Sequence, residues 1–182
     1  MIKKFKFIYI FLSLIFICET SYSLEPNIFI QSTVNRASQI LGDDISKSEK
    51  IEKLKIIATD TVDIKGIGFY TLGKFRKQLN DAEKKEYTKL FREYFLKSFS
   101  SRLSEYSNPK IDVQSQEKLN DKYTIVSSIL VATDTRPEIK IQWRVYTKDP
   151  DKPLIRDLII EGLSLARTQK EEFSSIIQSN DG

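Results

Sequence analysis

The apolar period of this chain switches at Asn108-Pro109: before it, hydrophobic residues recur at helical spacing, and after it they alternate every second position until a closing helical segment. Helices that come first, followed by strands joined through short connections, define an α+β chain with its helices packed on one face of an antiparallel sheet. Each period carries its own boundary signals. Pro26 suits a first helical turn, and Ile30, Val34, Ala37 and Leu41 follow at helical spacing until Gly42. Ser46 and Glu49 have the form of a capping box, continued by Ile51, Leu54 and Ala58 toward Val62. Asp63 is placed to cap a short third segment through Ile64, Ile67 and Tyr70 to Leu72, which Gly66 and Gly68 weaken.

The longest helical pattern opens at Asn80, with Glu83 as its capping-box partner, and runs to about Tyr106. Tyr87, Leu90, Phe91, Tyr94, Phe95 and Phe99 share one broad face, which reads by default as core. Lys85, Lys89 and Arg92 share another, with Asp81/Lys85 and Glu93/Lys97 at acid-first spacing. That basic stripe reads by default as a solvated face, and otherwise as a docking stripe for an acidic partner face or anionic headgroups.

Four strands are expected beyond Pro109. The first begins at Ile111 and Val113 and turns over residues 119–122, and the second covers residues 123–133. In the third, Ile139, Ile141, Trp143 and Val145 alternate with Lys140, Gln142, Arg144 and Tyr146. The fourth covers residues 154–161, with Gly162 marking a bulge or sharp bend, and Phe173, Ile176 and Ile177 lie on a closing helix. No second core, repeat or linker is visible.

The N-terminus reads as an export signal: Lys3, Lys4 and Lys6 precede an apolar run over residues 7–18, and Ser21-Tyr22-Ser23 offers a small-x-small cleavage site. The run is short for a spanning helix. Cleavage after residue 23 would leave a single domain over residues 24–182. A lipoprotein signal built on Cys18 is the competing reading, disfavoured by Ile17 where a small residue is expected. Cleavage removes three Lys and Glu19, which takes the net charge from +4 to +2. Because the remaining cations are interspersed with acids, nucleic acid is not an expected partner.

The chain has no His, and its one Cys lies in the signal segment. Ser-His, Cys-His and His-based metal arrangements therefore cannot be built from the mature protein. Asp157 and Glu161 stand four apart on one strand, spacing that permits an acid/base pair but is more often met in charges answering Arg144 or Arg156. Gly66-x-Gly68 lacks the rest of any phosphate-binding fingerprint. An exported domain without disulfides, rich in aromatic and branched residues, either fills its core or leaves it hollow for an apolar ligand.

The run over residues 156–165, with Asp157, Glu161, Gly162 and Ser164, resembles the signature of the MlaC family of periplasmic phospholipid-binding proteins, also known as toluene-tolerance auxiliary proteins. Leu72-Gly73-x-Phe75-Arg76 is similar to that family's Leu-Gly-x-aromatic-Arg element, with Phe75 where Trp is usual. Asp63 before a short helix, the aromatics Phe91, Tyr94 and Phe95, the triplet Trp143-Arg144-Val145, and Phe173 with Ile176 agree with it in order. The resemblance implies a cone of helices over a strongly bent four-stranded sheet, with an apolar cavity for acyl chains. It implies a non-enzymatic shuttle without cofactor or metal, exchanging lipid between an outer-membrane lipoprotein complex and an inner-membrane ATP-binding-cassette transporter with an MCE-domain partner. Leu72, Phe75, Phe91, Phe95, Trp143, Val145, Leu158, Ile160 and Leu163 are the expected lining residues, plain core packing being the alternative for each. Two rival functions remain open: an enzyme acting on a small apolar substrate in the same cone, favoured by a buried carboxylate at the cavity floor, and a solid interaction protein, favoured by a filled core.

Overall fold

The computed structural model describes residues 24–180, so the expected export signal and its expected cleavage site lie outside the described residues. Helices α1 (Pro26–Gly42), α2 (Lys47–Thr61) and α3 (Ile64–Thr71) are followed by a 3-10 turn at Gly73–Lys77 and by the long helix α4 (Asp81–Leu103). Strands β1 (Ile111–Asn120), β2 (Tyr123–Leu130), β3 (Ile139–Tyr146), β4 (Leu154–Ile160) and β5 (Leu163–Ser164) follow, and helix α5 (Leu165–Ser179) closes the chain. Both capping boxes form: Ser46 and Glu49 exchange side chain and backbone at α2, as do Asn80 and Glu83 at α4. The Ser46 hydroxyl and backbone N–H both bond the Glu49 carboxylate and hold its pKa below the ordinary glutamate value.

The sheet is an open antiparallel meander in the order β1-β2-β3-β4-β5. It has five strands, not the expected four. β5 is two residues long, too short for an alternating pattern, and it pairs Leu163 and Ser164 with Ile160 and Ile159. The reversal is made by Glu161 at φ 49° and Gly162 at φ 84°, the pair of left-handed residues that a two-residue hairpin loop of the right twist requires. Glu161 tolerates that conformation because it is tied on both sides, its N–H donating to the Lys140 carbonyl and its carboxylate accepting from the Lys140 N–H. Register shifts at Val113/Ser115, Lys118/Asn120 and Arg144/Val145 add bulges that bend the strands.

The inward faces of the sheet are those the alternation gives. Val126, Leu130, Ile141, Trp143, Val145 and Ile155 form one buried cluster with Phe29, Ile30, Val34, Ala58, Ile64, Ile67 and Phe91 from the helices. The two glycines that weaken α3 as a helix are what let it pack. A Cβ on Gly68 would lie 2.8 Å from Cδ1 of the buried Phe91, so the bare backbone is the seat of that ring. At Gly66 a Cβ would collide with the Asp63 carboxylate that caps the helix through the Gly66 N–H.

The helices are fastened to the sheet where α2 passes into α3. Val62 forms a parallel bridge with Ile155, and the Asp63 N–H donates to the Ile155 carbonyl at 2.9 Å. Arg156, the extra residue at the β4 bulge, places Nε and Nη2 each 2.6 Å from Asp63 Oδ2 and donates from Nη1 to the Tyr123 hydroxyl at 2.7 Å. Its guanidinium also lies 3.9 Å from the Tyr146 ring centroid. Burial opposes the charge on Arg156, but the bonds to Tyr123 and Asp63 outweigh it and raise its pKa above the ordinary arginine value.

Neither acid-first spacing on α4 becomes an ion pair among the described residues: Asp81 pairs with Lys84 rather than Lys85, and Glu93 does not pair with Lys97.

Asp63→Ala removes a helix cap and the partner of a partly buried guanidinium at once, and is expected to lower unfolding stability by about 2–4 kcal/mol in urea titration. Asp63→Asn keeps the capping oxygen and is expected to cost less; equal losses would mean that the cap contributes nothing beyond the ion pair. Gly68→Val drives a side chain into Phe91 and is expected to cost about 1–3 kcal/mol, part of which Phe91→Leu recovers in the same background.

Candidate lipid cavity

The helices and the sheet do not meet everywhere. Two partly open cavities, of about 160 and 210 Å³, lie between them and share a wall made by Val62, Phe99, Trp143, Ile155 and Leu158. The first is enclosed by Val34, Ala37 and Leu41 of α1, Leu54, Ile57 and Ala58 of α2, the C-terminal end of α4, and the inner sheet face from Ile111 across Leu130 and Ile141 to Ile160. The second lies between α4 and α5, under Phe91, Tyr94, Phe95 and Phe99.

The polar side chains on the first wall are spent on backbone carbonyls. Thr33 Oγ1 donates to the Phe29 carbonyl, Thr61 Oγ1 to that of Ile57, and Ser38 Oγ to that of Pro109, each at 2.8 Å. The shared wall is fixed in the same way, since Trp143 Nε1 donates to the buried Ser128 Oγ at 2.8 Å. An occupant of the first cavity thus meets hydrocarbon and aromatic surface, with its threonine and serine hydroxyls already paired and only the exposed Tyr106 adding a further hydroxyl at the wall.

The second cavity has a polar rim: Ser98 and Arg102 on α4, and Thr168, Gln169 and Glu172 on α5. Gln169 Nε2 donates to Glu172 at 3.1 Å and to the Tyr94 hydroxyl at 3.2 Å, which ties the two helices together across the opening. Inside, Phe91 packs edge-on against Phe173 with ring centroids 5.9 Å apart, and Phe95 stacks on Phe99 at 5.3 Å. The aromatic face of α4 is therefore only partly core. Phe91 is buried, Phe95 and Phe99 look into the hollow, and Leu90 and Tyr94 are exposed.

Asp157 also borders the second cavity and is 3% exposed. Its oxygens are engaged by three donors: the Ser164 hydroxyl at 2.6 Å, the Ala166 N–H at 3.0 Å and Arg144 Nη1 at 3.5 Å. Ser164 in turn caps α5 by accepting from the Arg167 N–H. The carboxylate sits at the positive end of that helix and holds its first turn against β4, a structural duty that leaves its oxygens occupied. Glu161 lies on the exposed β4–β5 turn, away from both cavities, so the two carboxylates do not converge on a common point.

Of the nine expected lining residues, Phe91, Phe95, Trp143, Leu158 and Ile160 border one or both cavities. The other four border neither. Val145 is fully buried in the packed cluster, Leu72 is buried where α3 gives way to the 3-10 turn, and Phe75 lies on that turn beneath Lys74. Leu163 is 59% exposed, because the Glu161-Gly162 reversal carries it past the end of β4. The walls supplied by α1 and α2 were missed. Their apolar stripes are plain in the sequence, but a stripe facing a hollow and a stripe facing a filled core have the same spacing. Of the basic stripe, Lys85 and Lys89 are solvated, while Arg92 Nη2 donates to Thr59 Oγ1 and joins α4 to α2.

The fold is similar to that of a phospholipid-binding protein from Ralstonia solanacearum solved in complex with a phospholipid, at a TM-score of 0.72 and 18% identity, over 87% of this chain and 90% of that one. The family model described as MlaC protein matches residues 31–182, nearly the whole of the helices, the sheet and the cavity walls just described. On that match the chain belongs to the MlaC protein family.

Proposed function

We propose that this protein is a phospholipid carrier of the cell envelope, exported by removal of residues 1–23, that holds acyl chains in the joined cavities and leaves the headgroup at the Ser98–Gln169 rim. The observation that carries this reading is the first cavity, whose wall is largely apolar and whose Thr33, Ser38 and Thr61 hydroxyls are bonded to backbone. Family membership and the phospholipid-bound protein of the same fold support it. Lining contact is assigned to Phe91, Phe95, Trp143, Leu158 and Ile160, joined by Ala37, Leu54, Ile57 and Phe99.

The energetics favour a carrier over free diffusion. Exposing acyl chains costs about 0.8 kcal/mol per CH₂, on the order of 20 kcal/mol for two long chains. A dry cavity offers the tails an environment close to that of a bilayer, so transfer between the two is nearly isoenergetic. Direction then has to come from partners, an outer-membrane lipoprotein complex on one side and an inner-membrane ATP-binding-cassette transporter with its MCE-domain subunit on the other. The carrier itself performs no chemistry in this reading: the buried carboxylate beside the cavity is occupied by its own donors.

Each cavity alone is close to the roughly 150 Å³ that accommodates benzene in an engineered core. An acyl chain must therefore run through both, which requires Phe99 or Leu158 to yield, since Trp143 is anchored and Val62 and Ile155 form the joint with β4.

Protein purified from a bacterial envelope is expected to carry one diacyl lipid per chain, read by native mass spectrometry and by lipid analysis after organic extraction. Lipid-free protein that also takes up nothing from vesicles would sink the carrier reading. Ala37→Phe fills the first cavity with hydrocarbon and is expected to reduce lipid loading while leaving thermal stability unchanged or higher. Phe95→Glu puts a charge into the second and is expected to abolish loading. Its melting curve is measured alongside, and a folded Phe95→Glu protein with normal lipid content would remove Phe95 from the site.

A further inference from the structure

Residues 64–79 contain four cations, Lys65, Lys74, Arg76 and Lys77, and no acid. They make up α3 and the 3-10 turn, and the fold brings α5 beside them: the Lys170 ammonium lies 5.1 Å from the Tyr70 ring centroid, and its Cε reaches the edge of Gly73. None of these five cations forms an ion pair among the described residues, although seven such pairs occur elsewhere. Instead, three of them lie against rings. Lys65 sits 5.9 Å from the Phe69 centroid and Lys74 5.4 Å from that of Phe75, in addition to Lys170 on Tyr70. Tyr70 is itself exposed, and Phe69 and Phe75 are half-exposed.

Position adds a second argument. Lys170 follows Gln169, which spans the mouth of the second cavity, so the basic and aromatic surface adjoins that opening. Of the acids on α5, Glu172 is bonded to Gln169 on the rim. Lysines whose stems lie along aromatic rings, with their ammonium groups free, suit the boundary between headgroups and acyl chains, where rings lie at headgroup level and cations meet phosphate. No helix among the described residues is long and apolar enough to cross a membrane, so any such contact is made at the surface.

We infer that the α3, 3-10 turn and α5 surface is the face by which this protein docks on an anionic lipid bilayer, setting the mouth of the second cavity against the headgroups. This inference rests on the carrier reading. Each basic side chain at an anionic surface strengthens partition about five-fold, so neutralising three is expected to weaken it roughly a hundred-fold at low salt. Attraction of this kind also fades as salt shortens the screening length to about 8 Å at physiological ionic strength.

The experiment is flotation of the full mature protein with vesicles of phosphatidylcholine alone or of phosphatidylcholine mixed with phosphatidylglycerol, at low and physiological salt. Wild type is expected to float with the mixed vesicles only, and less so at the higher salt. Lys74→Gln/Arg76→Gln/Lys77→Gln, all exposed and without hydrogen bonds, should lose that binding. Lys122→Gln/Lys148→Gln/Lys152→Gln, which removes the same charge from the β1–β2 and β3–β4 turns, should keep it. Equal loss in both variants, binding without regard to vesicle charge, or no binding by wild type would overturn the inference. Bound lipid is measured in every preparation, so normal loading without vesicle binding leaves the carrier reading intact and rejects the docking face alone.

Discussion

The structure depends on one joint between its two halves. The helical hairpin of α2 and α3 touches the sheet as a strand would at Val62, and Arg156 closes the contact by holding Asp63 while it bonds Tyr123 and stacks on Tyr146. One guanidinium thereby fixes helix start, strand bulge and hairpin together. Because this attachment is polar, local and specific, the remaining helix–sheet surfaces need not be pressed into complete contact to keep the fold. A domain held only by continuous apolar packing would have to fill the space that is hollow here.

The same division explains what the sequence made legible. Every helix, both capping boxes and the four long strands follow from period and boundary residues, because each is decided within a few positions of itself. The two-residue β5 is not, since nothing in Leu163-Ser164 distinguishes a strand from the start of a helix; only the turn at Glu161-Gly162 brings it beside β4. The glycines of α3 read against the helix from the sequence alone, whereas Gly66 makes room for the capping Asp63 carboxylate and the cause of Gly68 lies twenty-three residues on, in the ring of Phe91 that rests on it.

The cavity was harder to read than the fold. Trp143, Leu158 and Ile160 were reachable because alternation puts them on the inner face, but alternation puts Val145 there as well, at a point where helix and sheet do meet. Hollowness depends on the distance between two elements, a quantity that no single element's pattern contains. Asp157 illustrates the converse. Its separation from Glu161 allowed a catalytic pair, and the loop geometry beyond β4 instead wraps Ser164 and Ala166 around one carboxylate and leaves the other on a turn.

The paired hydroxyls of the first cavity bear on selectivity. A wall whose Thr33, Ser38 and Thr61 are already committed to backbone has little vocabulary, beyond the Tyr106 hydroxyl, for the functional groups of what enters it. Elsewhere it reads girth alone. Saturated, branched and kinked hydrocarbon of equal bulk are interchangeable to such a surface, while a chain bearing a hydroxyl away from Tyr106 would bring that group in unanswered at a cost of about 1–3 kcal/mol. On the carrier reading, an organism that remodels its fatty acids as it warms or cools could keep the same container, because fluidity would be adjusted in the cargo while most of the wall is tuned to no one composition.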